Sequence, residues 1–301
     1  MMSFLPAPLT GLICIVLYVF NTLIWLIPIL FFSLLKAILP IKLLSTYLTH
    51  LLDLSASSWV AVNTFIQRLF TPVEIDCEGL NQLSTKEWYL VLSNHQSWVD
   101  ILVLQRVFSG RIPFLKFFLK KELIWVPLLG LAWWALEFPF MKRYSREFLA
   151  KHPHLRGKDI ETTRLACEKF KVKPVSVMNF VEGTRFTKRK HDKQGSNFKS
   201  LLNPRAGGIA FALNAMGEHF TYILDVSIYY PDGVPTFWQY VSGTIKRVKV
   251  SVKILPVEQH LIGDYFNDME FKNRFQHWVN NLWLDKDREL SRLAAHGINK
   301  E

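Results

Sequence analysis

The chain has 301 residues, of which 50% are hydrophobic and 20% are charged, enough for one large domain with an additional segment. The charged fraction is near the average for soluble proteins, which excludes a chain that is embedded in a membrane throughout. The net charge of +11 favours an anionic partner, and three widely spaced cysteines argue against a disulfide framework.

The first predicted element is an uncharged N-terminal run. Residues 1–35 contain no Asp, Glu, Lys or Arg, and this exceeds the roughly 20 residues that span a bilayer. No basic region or small-residue cleavage site marks it as a signal peptide, so we expect it to be retained. Two geometries are open: one spanning helix from about Leu9 to about Leu35, kinked at Pro28, or two shorter pieces, broken at Asn21 and Pro28, within one leaflet.

The next segment, from Leu43 to Phe70, is apolar but interrupted by charged residues, which predicts one or two amphipathic helices. We therefore divide the chain into a membrane-anchoring region of amphipathic and apolar helices, residues 1–70, and an α/β domain, residues 71–301. If the N-terminal helix spans the membrane, Lys36 and Lys42 mark its cytoplasmic end.

Strand-like and helical segments alternate after Thr71. Strands are predicted within 71–79, 88–93, 174–180, 220–230 and 244–255, and helices at 98–108, 158–170, from about 209, and at 267–293. This alternation predicts an α/β domain with a central mixed sheet flanked by helices. The segment from Lys120 to Phe140 is too short to span and is interrupted by Pro127 and Gly130; its tryptophans suit a membrane surface or an acyl-chain groove.

The stretch NHQSWVD, from Asn94 to Asp100, follows a predicted strand and permits two interpretations. Ser97 and Asp100 fit a capping box at a helix start, which would leave His95 incidental. Alternatively, a turn brings His95 and Asp100 together, because residues five apart on a continuous helix do not face each other. Asp100 would then accept a hydrogen bond from one ring nitrogen of His95 and make the other nitrogen a general base.

These residues resemble a known family. Asn94-His95 with Asp100 is similar to the N-H-x-x-x-x-D signature of the 1-acylglycerol-3-phosphate acyltransferases, a family of glycerolipid and lysophospholipid acyltransferases. Further blocks similar to those of the family follow in the expected order, at Lys121-Glu122-Leu123 with Pro127 and Gly130, at Phe140-Met141-Lys142-Arg143, at Val181-Glu182-Gly183-Thr184-Arg185, and at Leu202 with Pro204 and Arg205. Val181 stands where many members have proline. The resemblance covers roughly residues 74–230.

The resemblance implies acyl transfer from an acyl thioester to a glycerol hydroxyl. His95 would take the hydroxyl proton, and Asp100 would orient the imidazole and stabilise its charged form. Backbone N–H groups near the start of the helix or near Gly183 are the candidates for stabilising the oxyanion. Substrate-binding candidates are the residues of three matched blocks: Arg143, Glu182, Gly183, Thr184, Arg185 and Arg205.

The blocks EGTRFT, from Glu182, and PRxxG, from Pro204, resemble a branch that includes bacterial inner-membrane acyltransferases and some eukaryotic lysophospholipid acyltransferases. We take the bacterial type as the expectation. This implies a location in the inner membrane with the catalytic domain facing the cytoplasm, phospholipid biosynthesis as the role, and no bound cofactor or metal. Three candidate arginines favour lysophosphatidate as acceptor; lysophosphatidylglycerol or lysophosphatidylinositol is the alternative. The donor is acyl-CoA or acyl carrier protein. A nucleic-acid partner is not expected, because no nucleic-acid motif is present; a non-catalytic, membrane-tethered binder of anionic ligands is the remote alternative.

Overall fold

The computed structural model describes residues 5–39, 41–141 and 173–295. Its strands, in chain order, are β1 (Glu74–Glu78), β2 (Tyr89–Ser93), β3 (Leu115–Phe117), β4 (Leu119–Lys120), β5 (Phe140–Met141), β6 (Ser176–Phe180), β7 (Tyr222–Tyr229) and β8 (Arg247–Pro256). Its helices are α1 (Ala7–Ile38), α2 (Lys42–Phe70), α3 (Val99–Phe108), α4 (Leu129–Ala135), α5 (Lys188–Gln194), α6 (Ala206–Met216), α7 (Phe237–Val241) and α8 (Met269–Ala295). The helix predicted at 158–170 lies outside the described residues.

Within the described residues, the main sheet has six strands in the order β1-β8-β7-β2-β6-β3. Neighbouring strands are parallel except β7 and β8, which are antiparallel, so the sheet is mixed. Every residue of β2 is buried, as expected for a central strand that is covered on both faces. The predicted α/β fold with a central mixed sheet is confirmed.

Two hydrophobic cores cover the two faces of the sheet. One contains Val103 and Leu104 of α3 together with Ala56 of α2, packed against strand residues such as Val91. The other contains Leu213 of α6 and Trp283 of α8, packed against residues such as Leu90. Alternate residues of β2 therefore enter opposite cores, because successive side chains of a strand point to opposite faces.

The N-terminal region consists of α1, which ends at Ile38, and α2, which begins at Lys42. Helix α1 continues through Asn21 and Pro28, so the alternative of two pieces broken at these residues is wrong. Asn21 is buried, and its amide donates to the carbonyl oxygen of Trp59 and to Oδ1 of Asn63, at 2.9 Å each. Helix α1 is the helix of the described chain that is long and apolar enough, by length and composition, to cross a membrane. This apolar helix suggests membrane association.

The aromatic segment after β4 folds back on itself. A 3-10 turn at Lys121–Trp125 and helix α4 lie between β4 and β5, which pair in parallel. A Cβ on Gly130 would come within 2.0 Å of the carbonyl oxygen of Ile124, so only glycine permits this close crossing. Trp125 and Trp134 remain exposed, and the amine of Lys36 at the end of α1 pairs with Glu137 at 3.0 Å. The segment thus lies beside the apolar helix α1.

Candidate active site

The candidate site lies at the carboxyl ends of three neighbouring strands. Ser93, the last residue of β2, is in register with Phe180 of β6 on one side and with Val226 of β7 on the other. The loops that leave these strands therefore start side by side, although they are far apart in the sequence. This edge is where open α/β sheets usually bind their ligands.

His95 and Asp100 form a direct pair. Nδ1 of His95 lies 2.8 Å from Oδ2 of Asp100, and the Asp100 side chain is fully buried. The chain turns between them: His95 precedes α3, and Asp100 lies in its first turn. When the bond at Nδ1 is donated to the carboxylate, Nε2 carries the free lone pair of the neutral ring.

Asp100 also performs much of the capping function. Its Oδ2 accepts the backbone N–H groups of Gln96 and Ser97 at 2.7 and 2.9 Å, which satisfies donors before the helix begins. The Ser97 hydroxyl accepts a hydrogen bond from the N–H of Val99 at 3.2 Å rather than from that of Asp100. The two interpretations of NHQSWVD are therefore compatible, because one carboxylate orients the histidine and holds the helix start.

Two other strands fix the histidine segment, β7 through its backbone and β6 through a side chain. The amide of Asn94 exchanges two hydrogen bonds of 2.9 Å with the backbone of Ile228 in β7. The ring of His95 stacks on the ring of Phe180, with centroids 3.8 Å apart and planes inclined by 14°. These contacts fix Asn94, the residue before His95, and they cover one face of the His95 ring.

Glu182 is buried directly behind the histidine. Its Oε1 accepts the N–H of His95 at 2.9 Å, and its Oε2 accepts the N–H of Leu202 at 3.0 Å. Burial raises the pKa of Glu182 to about 7, although the two backbone donors favour its ionised form. Both carboxylate oxygens are engaged by backbone, so the structure places this predicted substrate-binding residue as a brace between two loops.

The rest of the Glu182 block forms a tight turn with a cation at its tip. Gly183 has φ +68°, a conformation that favours glycine. The Thr184 hydroxyl and the carbonyl oxygen of Arg185 both accept from the amine of Lys190, at 2.8 Å each. The guanidinium of Arg185 lies 4.9 Å from the ring centroid of Trp98 and is exposed, so it can meet an anionic ligand beside the histidine.

The other two predicted arginines differ in position. The side chain of Arg205 is exposed at the start of α6, and its backbone N–H donates to the carbonyl oxygen of Val181 at 2.9 Å, which ties it to the same loop. Arg143 lies outside the described residues.

The backbone donors proposed for an oxyanion are largely occupied. The N–H groups of Gln96 and Ser97 donate to Asp100, and that of Gly183 donates to the carbonyl oxygen of Phe180 at 2.9 Å. Among the described residues, no group of three or more His, Cys, Asp or Glu side chains is placed to hold a metal ion.

Sequence reasoning missed Tyr230. Its hydroxyl donates to Oδ1 of Asp100 at 2.6 Å, across 130 positions of sequence. Burial raises the pKa of the Tyr230 phenol well above its usual value, and the Asp100 charge adds to this, so the phenol stays protonated. No local pattern signals this contact, because it depends on the register of β7 against β2.

An exposed apolar corner adjoins the site. The hydroxyl of Ser97 donates to the carbonyl oxygen of Pro235 at 2.6 Å, which brings the segment 234–238 next to the histidine loop. Val234, Phe237 and Trp238 in this segment are exposed, as is Trp98 with 50% of its surface accessible. A Cβ on Gly11 of α1 would meet the Trp238 ring at 2.9 Å, so the corner continues onto the apolar helix. The site therefore has an exposed cation, Arg185, next to an exposed apolar surface that includes Trp98.

Comparison with known proteins gives consistent relatives. The family model described as Acyltransferase matches residues 74–230. The 1-acyl-sn-glycerol-3-phosphate acyltransferase 3 of Arabidopsis thaliana is 26% identical over 251 residues, covering 75% of this chain and 61% of the relative. The 1-acyl-sn-glycerol-3-phosphate acyltransferase delta of Mus musculus is 26% identical over 72% of this chain and 56% of its own length. The chain thus spans about three fifths of the length of these relatives.

A solved structure shares the fold. The crystal structure of the 1-acyl-sn-glycerophosphate (LPA) acyltransferase PlsC from Thermotoga maritima aligns with a TM-score of 0.53 and 16% sequence identity. The alignment covers 97% of this chain and 100% of that chain, so the likeness extends through the N-terminal helices as well as the sheet.

Proposed function

The chain belongs to the acyltransferase family, and from this premise we propose that it is a membrane-bound enzyme that moves a fatty acyl group from an acyl thioester to the free hydroxyl of lysophosphatidate. The observation that carries the proposal is the 2.8 Å contact between Nδ1 of His95 and the buried carboxylate of Asp100. It leaves Nε2 of His95 as a base next to an exposed cation and an apolar surface.

In the proposed reaction, Nε2 of His95 removes the proton of the acceptor hydroxyl while the oxygen of that hydroxyl attacks the thioester carbonyl carbon. Asp100 stabilises the imidazolium that forms, and it holds the ring in the tautomer with Nδ1 protonated. The tetrahedral intermediate then collapses, the carbon–sulfur bond breaks, and the leaving thiolate takes the proton from the imidazolium. No protein nucleophile is needed, because the acceptor hydroxyl supplies the attacking oxygen.

The chemistry around the dyad supports an amphiphilic acceptor with a phosphate. Arg185 presents a permanently charged fork to a phosphate, and Arg205 is exposed on a segment tied to the same loop. The apolar corner at 234–238 and Trp98 suits the acyl chain of the acceptor, and it continues onto α1. A phosphomonoester such as lysophosphatidate carries more charge than a phosphodiester, so these cations should increase its affinity most. Arg143, in the block Phe140-Met141-Lys142-Arg143, is a further candidate for binding the phosphate.

We also propose how the protein is attached to the membrane and which molecules donate the acyl group. We assign residues 1–70 as the membrane-anchoring region and residues 71–301 as the catalytic domain, because α1 is apolar along its exposed face. We place the protein in the inner membrane with this domain facing the cytoplasm, with Lys36 at the cytoplasmic end of α1. Acyl-CoA and the acylated form of acyl carrier protein are both thioesters that satisfy the mechanism.

The test is acyl transfer by purified full-length protein in detergent. Acyl-CoA and acyl carrier protein thioesters are offered with lysophosphatidate, lysophosphatidylglycerol, lysophosphatidylinositol and lysophosphatidylethanolamine. We expect transfer to lysophosphatidate that is lost in His95→Ala. Preferred transfer to a larger-headgroup acceptor replaces the substrate assignment, and transfer that survives His95→Ala rejects the mechanism. Folded protein with no transfer to any acceptor favours a non-catalytic binder.

A further inference from the structure

We propose that Tyr230 is a positioning residue for the reaction, acting on His95 through Asp100. The inference rests on the proposed function. Tyr230 is 4% exposed, and its hydroxyl donates to Oδ1 of Asp100 at 2.6 Å. The other oxygen of this carboxylate, Oδ2, accepts from His95, Gln96 and Ser97. Among the described residues, Tyr230 is therefore the hydrogen-bond partner of Oδ1, the Asp100 oxygen that does not contact the histidine.

The placement of Tyr230 follows from the sheet. Strand β7 is parallel to β2, so its carboxyl end lies at the same edge as the His95 loop. Ile228 of β7 holds Asn94 through two backbone hydrogen bonds, and Tyr230, just beyond the strand, holds Asp100. Residues at the end of β7 thus bind the segment on both sides of His95: the backbone of Ile228 binds Asn94, and the side chain of Tyr230 binds Asp100.

The chemical consequence is control of the carboxylate plane. Tyr230 holds Oδ1, and two backbone N–H groups hold Oδ2, so the carboxylate is fixed at both oxygens and the lone pairs of Oδ2 stay aimed at Nδ1 of His95. The Tyr230 hydrogen bond also draws negative charge toward Oδ1, and so moderates the pull of Asp100 on the imidazole proton. Both effects act on the chemical step, because Tyr230 is buried and separated from the substrates by Asp100.

Tyr230→Phe removes the hydroxyl and keeps the ring. We expect the kcat for acyl transfer to fall on the order of tenfold to a hundredfold, as for small misalignments of reacting groups, with KM for donor and acceptor unchanged. The acid limb of the pH–rate profile should move to higher pH, because the full Asp100 charge then favours the protonated imidazole. Glu182, whose pKa is raised to about 7 by burial, also feels the Asp100 charge, which raises its pKa further, so its contribution moves the profile in the same direction.

Tyr89→Phe is the matched control. Tyr89 is a fully buried tyrosine of β2, and its hydroxyl accepts one hydrogen bond, from the N–H of Ser84 at 2.9 Å. It lies at the opposite end of the strand from His95. This variant also removes the hydroxyl of a buried tyrosine together with its hydrogen bond, here a partly buried bond to a neutral backbone N–H, so it controls for the loss of a tyrosine hydroxyl as such. Its kcat and pH–rate profile should stay those of the wild type.

A double-mutant cycle tests whether Tyr230 acts through Asp100. In the Asp100→Asn background, Tyr230→Phe should have little further effect on kcat, since the charged oxygen that it orients is gone. Additive effects, a loss confined to KM, or an unmoved acid limb would overturn the inference.

A second variant keeps the inference testable if Tyr230→Phe does not fold. Replacing Tyr230 by 3-fluorotyrosine makes the phenol a stronger donor with almost no change of shape. This protein should retain the kcat, and its acid limb should move to lower pH, opposite to Tyr230→Phe. A limb that does not move in this protein overturns the inference. The proposed function fails instead if His95→Ala transfers acyl groups as fast as the wild type does. The two failures are therefore distinguishable.

Discussion

Replacing Asp100 by asparagine separates its charge from its shape. The asparagine side chain keeps the size of the aspartate, its oxygen can face the three donors now at Oδ2, and its NH2 group can donate to the Tyr230 hydroxyl. All four hydrogen bonds then remain in number, but they lose their charge assistance. From the difference between charged and neutral hydrogen bonds, we expect the free energy of unfolding to fall by about 1–3 kcal/mol.

The effect on catalysis should be much larger than the effect on stability. Without the carboxylate, the imidazolium formed at His95 loses its counter-charge, and the amide no longer selects the tautomer with Nδ1 protonated. The same change in Ser-His-Asp triads lowers kcat about 10⁴-fold. We expect a loss of kcat on the order of 10³- to 10⁴-fold, which is about 4–5 kcal/mol in the activation free energy.

The assay is transfer of a radiolabelled acyl group to lysophosphatidate in detergent, with thermal unfolding measured on the same preparations. Asp192→Asn is the control, because Asp192 also lies beside a histidine, with 3.4 Å between its Oδ1 and Nδ1 of His191, but is exposed. It should keep wild-type kcat. If Asp100→Asn retains more than about a tenth of the activity while His95→Ala is inactive, Asp100 serves the helix start alone and the reasoning fails.

Three further predictions concern other residues. Burial raises the pKa of Glu182 from 4.5 to about 7, so the folded protein binds this proton more tightly and its free energy of unfolding falls by about 3 kcal/mol as pH rises from 4.5 to 7. Glu182→Gln is neutral at every pH, and in this variant the fall should vanish. If denaturant unfolding shows the same dependence of the free energy of unfolding on pH in both proteins, the burial argument is wrong. Arg185→Ala should lower kcat/KM for lysophosphatidate by about 10- to 100-fold and for phosphodiester acceptors by less, with partial recovery in Arg185→Lys; equal losses for both acceptors would show that Arg185 does not bind the phosphate. Asn21→Leu should lower the free energy of unfolding by about 1–3 kcal/mol, because its two hydrogen bonds to α2 disappear; an unchanged Tm would show that the two helices are held by apolar packing alone.

Local patterns in the sequence determined much of the fold. An uncharged run gives α1, and short apolar runs give β2 and β6, because burial selects side chains at the period of each element. The segment Asn94 to Asp100 permitted a histidine–carboxylate pair five positions apart, and the resemblance to the acyltransferase signature favoured it over a helix cap alone. Exposed Arg185 was identified through its block, although its use in binding stays a prediction.

Only the tertiary structure decided how that pair is supported. Tyr230 reaches Asp100, Glu182 reaches the backbone of His95, and Phe180 stacks on its ring, all from parts of the chain more than 80 residues away. These contacts depend on which strands are neighbours and on their register, and parallel strands acquire both through long crossover connections. Sequence periodicity records which face of a strand is buried; it does not record which strand lies beside it, so the residues around the dyad appear only when the sheet is assembled.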